Sequence, residues 1–229
     1  MTNLSTVVVV GASRGLGLAL AEEWCGRGWH VIATVRTPST KLEALSHRFP
    51  GSVEAETVDI AHAEQVSALR TRLGGRRIDV LFVNAGIARS IEATPVNLPE
   101  QDFLDMMLVN ALAPVRAVEI LGDLVAPDGV LGLMTSELGS IAGSSGGWQG
   151  YSASKAALNM LMKAYAARRL DDKRAMLLVA PGWVRTETGG EEASLSVEES
   201  IPLVVDTLLA NRGEPGLRYV DRFNKPMAW

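Results

Sequence analysis

Apolar residues in this chain fall into short unbroken blocks, separated by stretches where they recur every three or four positions. Residues 6–10, Thr-Val-Val-Val-Val, form a β-branched run without polar alternation, which predicts a strand buried on both faces. Comparable blocks at 30–35, 53–58, 78–83, 129–135 and 175–180 predict further strands, and 216–220 a short last one. Helical spacing between them predicts helices over 16–27, 41–49, 63–73, 101–124, 151–170 and 197–209, with Pro114 kinking the fourth. Strand–helix alternation with two-sided apolar strands implies an α/β fold, a doubly wound parallel sheet with helices on both faces. No repeat, low-complexity tract or linker divides the 229 residues, so a single domain over 1–229 is expected. The stretch 187–196, Glu-Thr-Gly-Gly-Glu-Glu-Ala-Ser-Leu-Ser, is the least core-like and predicts a mobile loop bordering the substrate.

Composition mainly excludes. The net charge is −4 with acids and bases interspersed, so no basic tract marks a nucleic-acid partner. Cys25 stands alone on the apolar face of the first helix, which predicts a buried, inert thiol and no disulfide. The three histidines are scattered, so no metal site is expected. No leader-like segment and no run of 18 apolar residues is present, which predicts a cytoplasmic protein without a membrane partner.

Chemistry enters at the turn after the first strand, Gly11-Ala12-Ser13-Arg14-Gly15-Leu16-Gly17. Glycines let a ligand approach the backbone, and the following helix N-terminus offers N–H groups and positive dipole to a pyrophosphate. The spacing is G-x-x-x-G-x-G rather than G-x-G-x-x-G, so a plain strand–helix connection is the competing reading. The second strand ends Ala33-Thr34-Val35-Arg36, with no acid until Glu43. An acid there would grip the ribose 2′-hydroxyl of NAD, whereas Arg36 and Arg14 suit a 2′-phosphate. NADP(H) is therefore favoured over NAD(H).

Tyr151-Ser-Ala-Ser-Lys155 places a phenol and an amine on one helix face. A free tyrosine keeps its proton to about pH 10, and a nearby cation lowers that value. The pair reads as a tuned proton donor and acceptor, with an ordinary helix start that happens to contain Tyr and Lys as the competing reading.

The glycine turn, Asn84-Ala85-Gly86, Asn110, Ser136, Tyr151-x-x-x-Lys155 and Pro181-Gly182 occur in an order that resembles the short-chain dehydrogenase/reductase family, over roughly residues 5–220. The short length, Gly139-Ser140-Ile141, Pro181-Gly182-Trp183-Val184 and the final Pro226-Met227-Ala228-Trp229 resemble its carbonyl-reductase-like branch, which includes C-factor-type and sniffer-type proteins. The resemblance implies a Rossmann fold with seven strands in the order 3-2-1-4-5-6-7. It implies Tyr151 as acid–base, Lys155 lowering its pKa and binding the nicotinamide ribose, Ser136 donating to the substrate oxygen, and Asn110 holding a relay water. Gly11, Ser13, Arg14, Gly15, Leu16, Gly17 and Arg36 would hold the phosphates. Asp59, Ile60, Asn84, Ala85 and Gly86 would line the adenine–ribose side. Pro181, Gly182, Val184 and Thr186 would border the nicotinamide, Thr186 holding its carboxamide.

The chain departs from the family pattern at three points. Val10 stands for a threonine and Val83 for an asparagine, and Ser136 precedes Tyr151 by 15 residues rather than the more usual 13, with Gly143–Gly147 to absorb the excess. Ser136 is preferred to Ser140 because it directly follows the strand. Leu138, Trp148, Trp183, Ile87 and Ile91 are candidate walls for a small-molecule carbonyl or alcohol substrate. About ten residues after Thr186 are too few for a helical lid, which predicts an open site. The helix at 151–170 is apolar nearly all round, which predicts a homodimer through its outer face. The expected activity is NADP(H)-dependent oxidoreduction of an aldehyde, ketone or quinone. The alternative is a nucleotide-binding signalling protein on the same scaffold.

Overall fold

The computed structural model describes residues 4–229. Seven strands alternate with seven helices: β1 Thr6–Val10, α1 Gly15–Gly26, β2 His30–Val35, α2 Thr40–Arg48, β3 Val53–Thr57, α3 Ala63–Leu73, β4 Ile78–Val83, α4 Glu100–Met107, α5 Ala113–Leu121, β5 Val125–Met134, α6 Gln149–Ala167, β6 Ala175–Ala180, α7 Val197–Ala210 and β7 Gly216–Asp221. The sheet is parallel throughout, in the order β3-β2-β1-β4-β5-β6-β7. This is the Rossmann fold expected from the apolar blocks and the resemblance.

Side-chain alternation along a strand explains why the blocks had to be apolar at every position. Val8 and Val10 point into one core with Leu81, Leu131 and Leu178, under α3, α5 and α6. Val7 and Val9 point into the other, with Phe82, Leu177 and Val179, under α1, α2 and α7. Cys25 lies in this second core, where burial pushes its thiol up to about 11.

Two elements differ from the sequence reading. The helix expected over 101–124 is α4 and α5 joined by a π-turn at Leu108–Leu112. Pro114 has no N–H, so the carbonyl of Asn110 loses its usual donor, and the ladder widens one turn earlier than the expected kink. β5 begins at Val125 rather than 129, and its pairing with β4 shifts register between Ile78 and Val80. Pro127 and Asp128 sit in that irregular start, and they hid it from a search for apolar runs.

After β3, the chain crosses from the edge of the sheet to the far side of β1. Strand order therefore reverses between β1 and β4, and the crevice outside their carboxyl ends is where this architecture receives ligands.

Candidate active site

The glycine turn occupies that crevice. Gly11 has φ +89°, and a Cβ on it would lie 2.8 Å from the Ala85 backbone. Gly17 is tighter still, because its Cβ would stand 1.9 Å from the Gly11 carbonyl oxygen. Only glycine lets the turn lie this close to the end of β4. Asn84 fastens the two together: its side-chain Nδ2 donates to Gly11 O at 2.8 Å, while the Asn84 and Ala85 backbone N–H groups donate to Val10 O. Thr34 on β2 accepts the Gly11 N–H, and the Ser39 hydroxyl donates to Ser13 O at 3.0 Å. The result is a braced loop at the N-terminus of α1, with Arg14 and Gly15 exposed and Leu16 half-buried.

Around this turn, Arg36 lies exposed immediately after β2. Asp59, after β3, turns its carboxylate onto the Ala61 N–H, and Ile60 is buried beside it. Pro181 accepts from the Ser200 hydroxyl at 2.8 Å, and Gly182 has φ +85°. Val184 is buried and bridges Leu195. Thr186 comes within 3.9 Å of where a Gly15 Cβ would stand, so the loop after β6 faces the glycine turn.

That loop is pinned along its length. Trp183 Nε1 donates to Gly189 O, Gly189 N–H to Thr186 Oγ1, and Arg185 N–H to Leu195 O. Trp183 is 49% exposed with its indole nitrogen engaged by the loop itself. Glu187 forms an exposed ion pair with Arg14, joining the loop to the glycine turn.

The catalytic candidates meet at the carboxyl ends of β4 and β5. Lys155 is 3% exposed, and its Nζ donates to Met134 O at 2.9 Å and lies 5.7 Å from the centroid of the Tyr151 ring. A Cβ on exposed Gly86 would sit 3.6 Å from Lys155 Nζ and 3.3 Å from Asn110 Oδ1, so both groups lie just behind the loop after β4. Ser136 lies two residues beyond the end of β5. Its hydroxyl accepts from Leu138 N–H and acts on the Tyr151 phenol, whose ionisation it favours. Ser140, by contrast, is buried with its hydroxyl accepting the Gly143 N–H.

The electrostatics differ from the sequence reading. Burial pushes the Tyr151 phenol up to about 12, and the Ser136 hydroxyl only partly offsets it. Burial likewise pulls Lys155 down to about 8. Desolvation penalises whichever form is charged, and here it outweighs the expected lowering of Tyr151 by its lysine neighbour. The phenol is thus firmly protonated at neutral pH.

Asn110 is fully buried in the π-turn. Its Nδ2 donates to Ile87 O and Ser154 Oγ, and its Oδ1 accepts the Ile87 N–H. Ser154 in turn donates to Tyr151 O at 2.7 Å. The side chain is therefore a strut between the β4 loop and α6. Among the substrate candidates, the Trp148 ring stands edge-on to Tyr151 at 5.7 Å, and its backbone is left-handed with φ +48°. Leu138 is half-buried, lining a shallow depression with Ile141, Gly147 and Ala156.

Sequence reasoning missed Ser154, Asn159 and Tyr219. Asn159 accepts from Thr135 Oγ1 at 2.7 Å and donates to Gly139 O, fixing the segment that carries Ser136. A signal for it existed, since Tyr151, Lys155 and Asn159 are successive i, i+4 polar positions on an apolar helix. Tyr219 donates to Ser136 O from 83 residues away and had no local signature. Among the described residues, no helix is long and apolar enough to cross a membrane.

Comparison with known proteins supports the same reading. Residues 5–195 match the family model for short chain dehydrogenase. A Burkholderia multivorans protein described as a short-chain dehydrogenase/reductase, solved with NADP bound, is 48% identical with a TM-score of 0.96, covering 99% of this chain and 100% of that one. A carbonyl reductase from Pseudomonas aeruginosa PAO1 in complex with NADP is 38% identical with a TM-score of 0.91, over 99% of this chain and 100% of that one. The 1-hydroxy-2-glutathionyl-2-methyl-3-butene dehydrogenase of Rhodococcus sp. (strain AD45) is 31% identical over 86% of this chain and 87% of its own length. The chain belongs to the short-chain dehydrogenase/reductase family, as a carbonyl-reductase-like oxidoreductase.

Proposed function

We propose that the chain is an NADP(H)-dependent reductase of small aldehydes, ketones or quinones, able to run in reverse on the alcohols. The observation that carries this is the meeting of Tyr151, Ser136 and Lys155 behind a glycine-cleared crevice. The cradle fits a dinucleotide, because exposed Gly15 puts no side chain into the gap between the turn and Thr186, and the α1 N-terminus opens onto it. Gly11, Ser13, Gly15, Leu16 and Gly17 would hold the pyrophosphate, with Asp59, Ile60, Asn84, Ala85 and Gly86 on the adenine–ribose side. Lys155, Pro181, Gly182, Val184 and Thr186 would border the nicotinamide. Arg14 and Arg36 supply cations at the turn and after β2, where a 2′-phosphate would lie. NADP bound in the Burkholderia and Pseudomonas structures supports that choice.

NADPH, when bound, supplies the hydride. The protein's own part is acid–base and positional. Tyr151, protonated at neutral pH, donates its proton to the carbonyl oxygen, and the Ser136 hydroxyl stabilises the charge gathering there. Lys155 offers a nearby charge to the resulting phenolate. Because the Asn110 side chain is committed to Ile87 and Ser154, the relay role proposed for Asn110 would fall to its backbone carbonyl. Trp148, Leu138 and Trp183 would border the substrate, and the short pinned loop after Thr186 leaves the site open. We further propose a homodimer, since Met160 is 63% and Leu161 38% exposed on the outer face of α6.

The test is NADPH oxidation against a panel of aldehydes, ketones and quinones, beside Tyr151→Phe. Turnover by the wild type, a loss of at least 100-fold in the variant, and unchanged NADPH binding in both are expected. Tight NADPH binding without turnover of any compound would instead favour a nucleotide-binding signalling role.

A further inference from the structure

We infer that Tyr219, on the edge strand β7, is a positioning residue that aims the Ser136 hydroxyl at Tyr151. This rests on the proposed role of Ser136 and adds a determinant outside the catalytic segments. The Tyr219 hydroxyl donates to Ser136 O at 2.7 Å, with the Asn159 amide beside it. Ser136 O also accepts the Gly139 N–H at 2.9 Å, so both lone pairs of this carbonyl are fixed.

The surrounding contacts make the strut rigid. Tyr219 is 3% exposed, and its ring packs against Trp229 with centroids 5.5 Å apart. The chain folds back after β7, so that Met227 N–H donates to Tyr219 O and Ala142 N–H donates to the Trp229 backbone oxygen. On the other side of Ser136, Thr135 N–H donates to Val179 O on β6 and Thr135 Oγ1 to Asn159. Thr135, the residue before Ser136, is thus held by β6 and α6, and the peptide after Ser136 by β7. With the chain anchored on both sides of Ser136, the direction of its Cα–Cβ bond is set. The hydroxyl itself makes one further contact that orients it, from Leu138 N–H.

Removing the Tyr219 oxygen leaves the carbonyl on the Gly139 N–H alone, so it can swing about that bond and carry the hydroxyl off its line, where small displacements cost rate steeply. Burial holds the Tyr219 phenol up near 12, so it remains a donor over the whole working range.

A double-mutant cycle on the full chain tests this, using Tyr219→Phe, Ser136→Ala and their combination. Tyr219→Phe should lower kcat about tenfold, with KM for the carbonyl and NADPH affinity within twofold of wild type. In the Ser136→Ala background it should cost less than twofold more. A readout independent of turnover is the Tyr151 ring-carbon resonance in protein labelled with ¹³Cζ-tyrosine, at neutral pH. Tyr219→Phe should shift it in the same direction as Ser136→Ala, and the double variant should shift it no further than Ser136→Ala alone. An unmoved resonance, or full additivity in kcat, overturns the inference. A moved, non-additive resonance in a protein that reduces no carbonyl would uphold the positioning and defeat the proposed function instead.

Discussion

Burial governs the two residues at the centre of this site, and it does so against the direction that their spacing suggested. Tyr151 and Lys155 were legible because i, i+4 on a helix is a local relation, and the structure does place them together. The sign of the Tyr151 shift was not legible, because desolvation depends on everything packed around the helix. The Lys155 shift has a consequence for stability. Its folded value, about 8, lies below the ordinary 10.5, so between those values the unfolded chain holds the proton that the folded chain has lost. Stability therefore rises with pH from about 8, by at most about 1.4 kcal/mol per unit from this group. Cys25 and Tyr151, both shifted upward, oppose this above their ordinary values of 9.0 and 10.0. Comparison with Lys155→Met, which keeps both, isolates the lysine. Urea unfolding should show the wild type gaining stability relative to Lys155→Met between pH 7.5 and 9.5. A constant difference across that range would mean that Lys155 is not desolvated.

At the scale of elements, strands were easier to recognise than the joints between helices. A β-branched run buried on both faces has few alternatives, and β1, β2, β4 and β6 lie where the apolar blocks place them. The π-turn before Pro114 was hidden because proline marks a lost donor without stating how the ladder adapts. The loop after β6 was also underdescribed: its glycines and acids read as mobile, yet Trp183, Thr186 and Leu195 tie it down. Its exposed Glu187 pairs with Arg14, the same cation proposed for the 2′-phosphate. The two anions would compete, so Glu187→Gln should tighten NADPH binding several-fold and leave NADH binding within twofold, as read by nucleotide fluorescence titration. The effect is modest because an exposed pair is screened and weak. Equal changes for both nucleotides would remove Arg14 from the phosphate site.

For the whole molecule, the parallel sheet converts a linear alternation into one crevice. Strand reversal between β1 and β4 brings the glycine turn, the Asn84 loop and α6 to the same edge, although their residues are spread over most of the chain. The sequence order of motifs carried that much. It did not carry the brace from β7, because a contact across 83 residues leaves no periodicity to read. The apolar outer face of α6 is also a whole-molecule matter. Sedimentation equilibrium should give twice the chain mass, and Met160→Glu should return it to the monomer; a monomeric wild type would remove the proposed dimer. In the proposed reaction, Tyr151, Ser136 and Lys155 deliver a proton to an oxygen while hydride reaches the adjacent carbon. The most direct measurement is transfer of deuterium from NADPH labelled at the reactive nicotinamide carbon into the product alcohol, followed by mass spectrometry for wild type and Tyr151→Phe. Label at the carbinol carbon in the wild type, and at least 100-fold slower labelling in the variant with NADPH still bound, is the predicted result. Equal labelling rates in the two proteins, or none in the wild type with any carbonyl, would contradict the account.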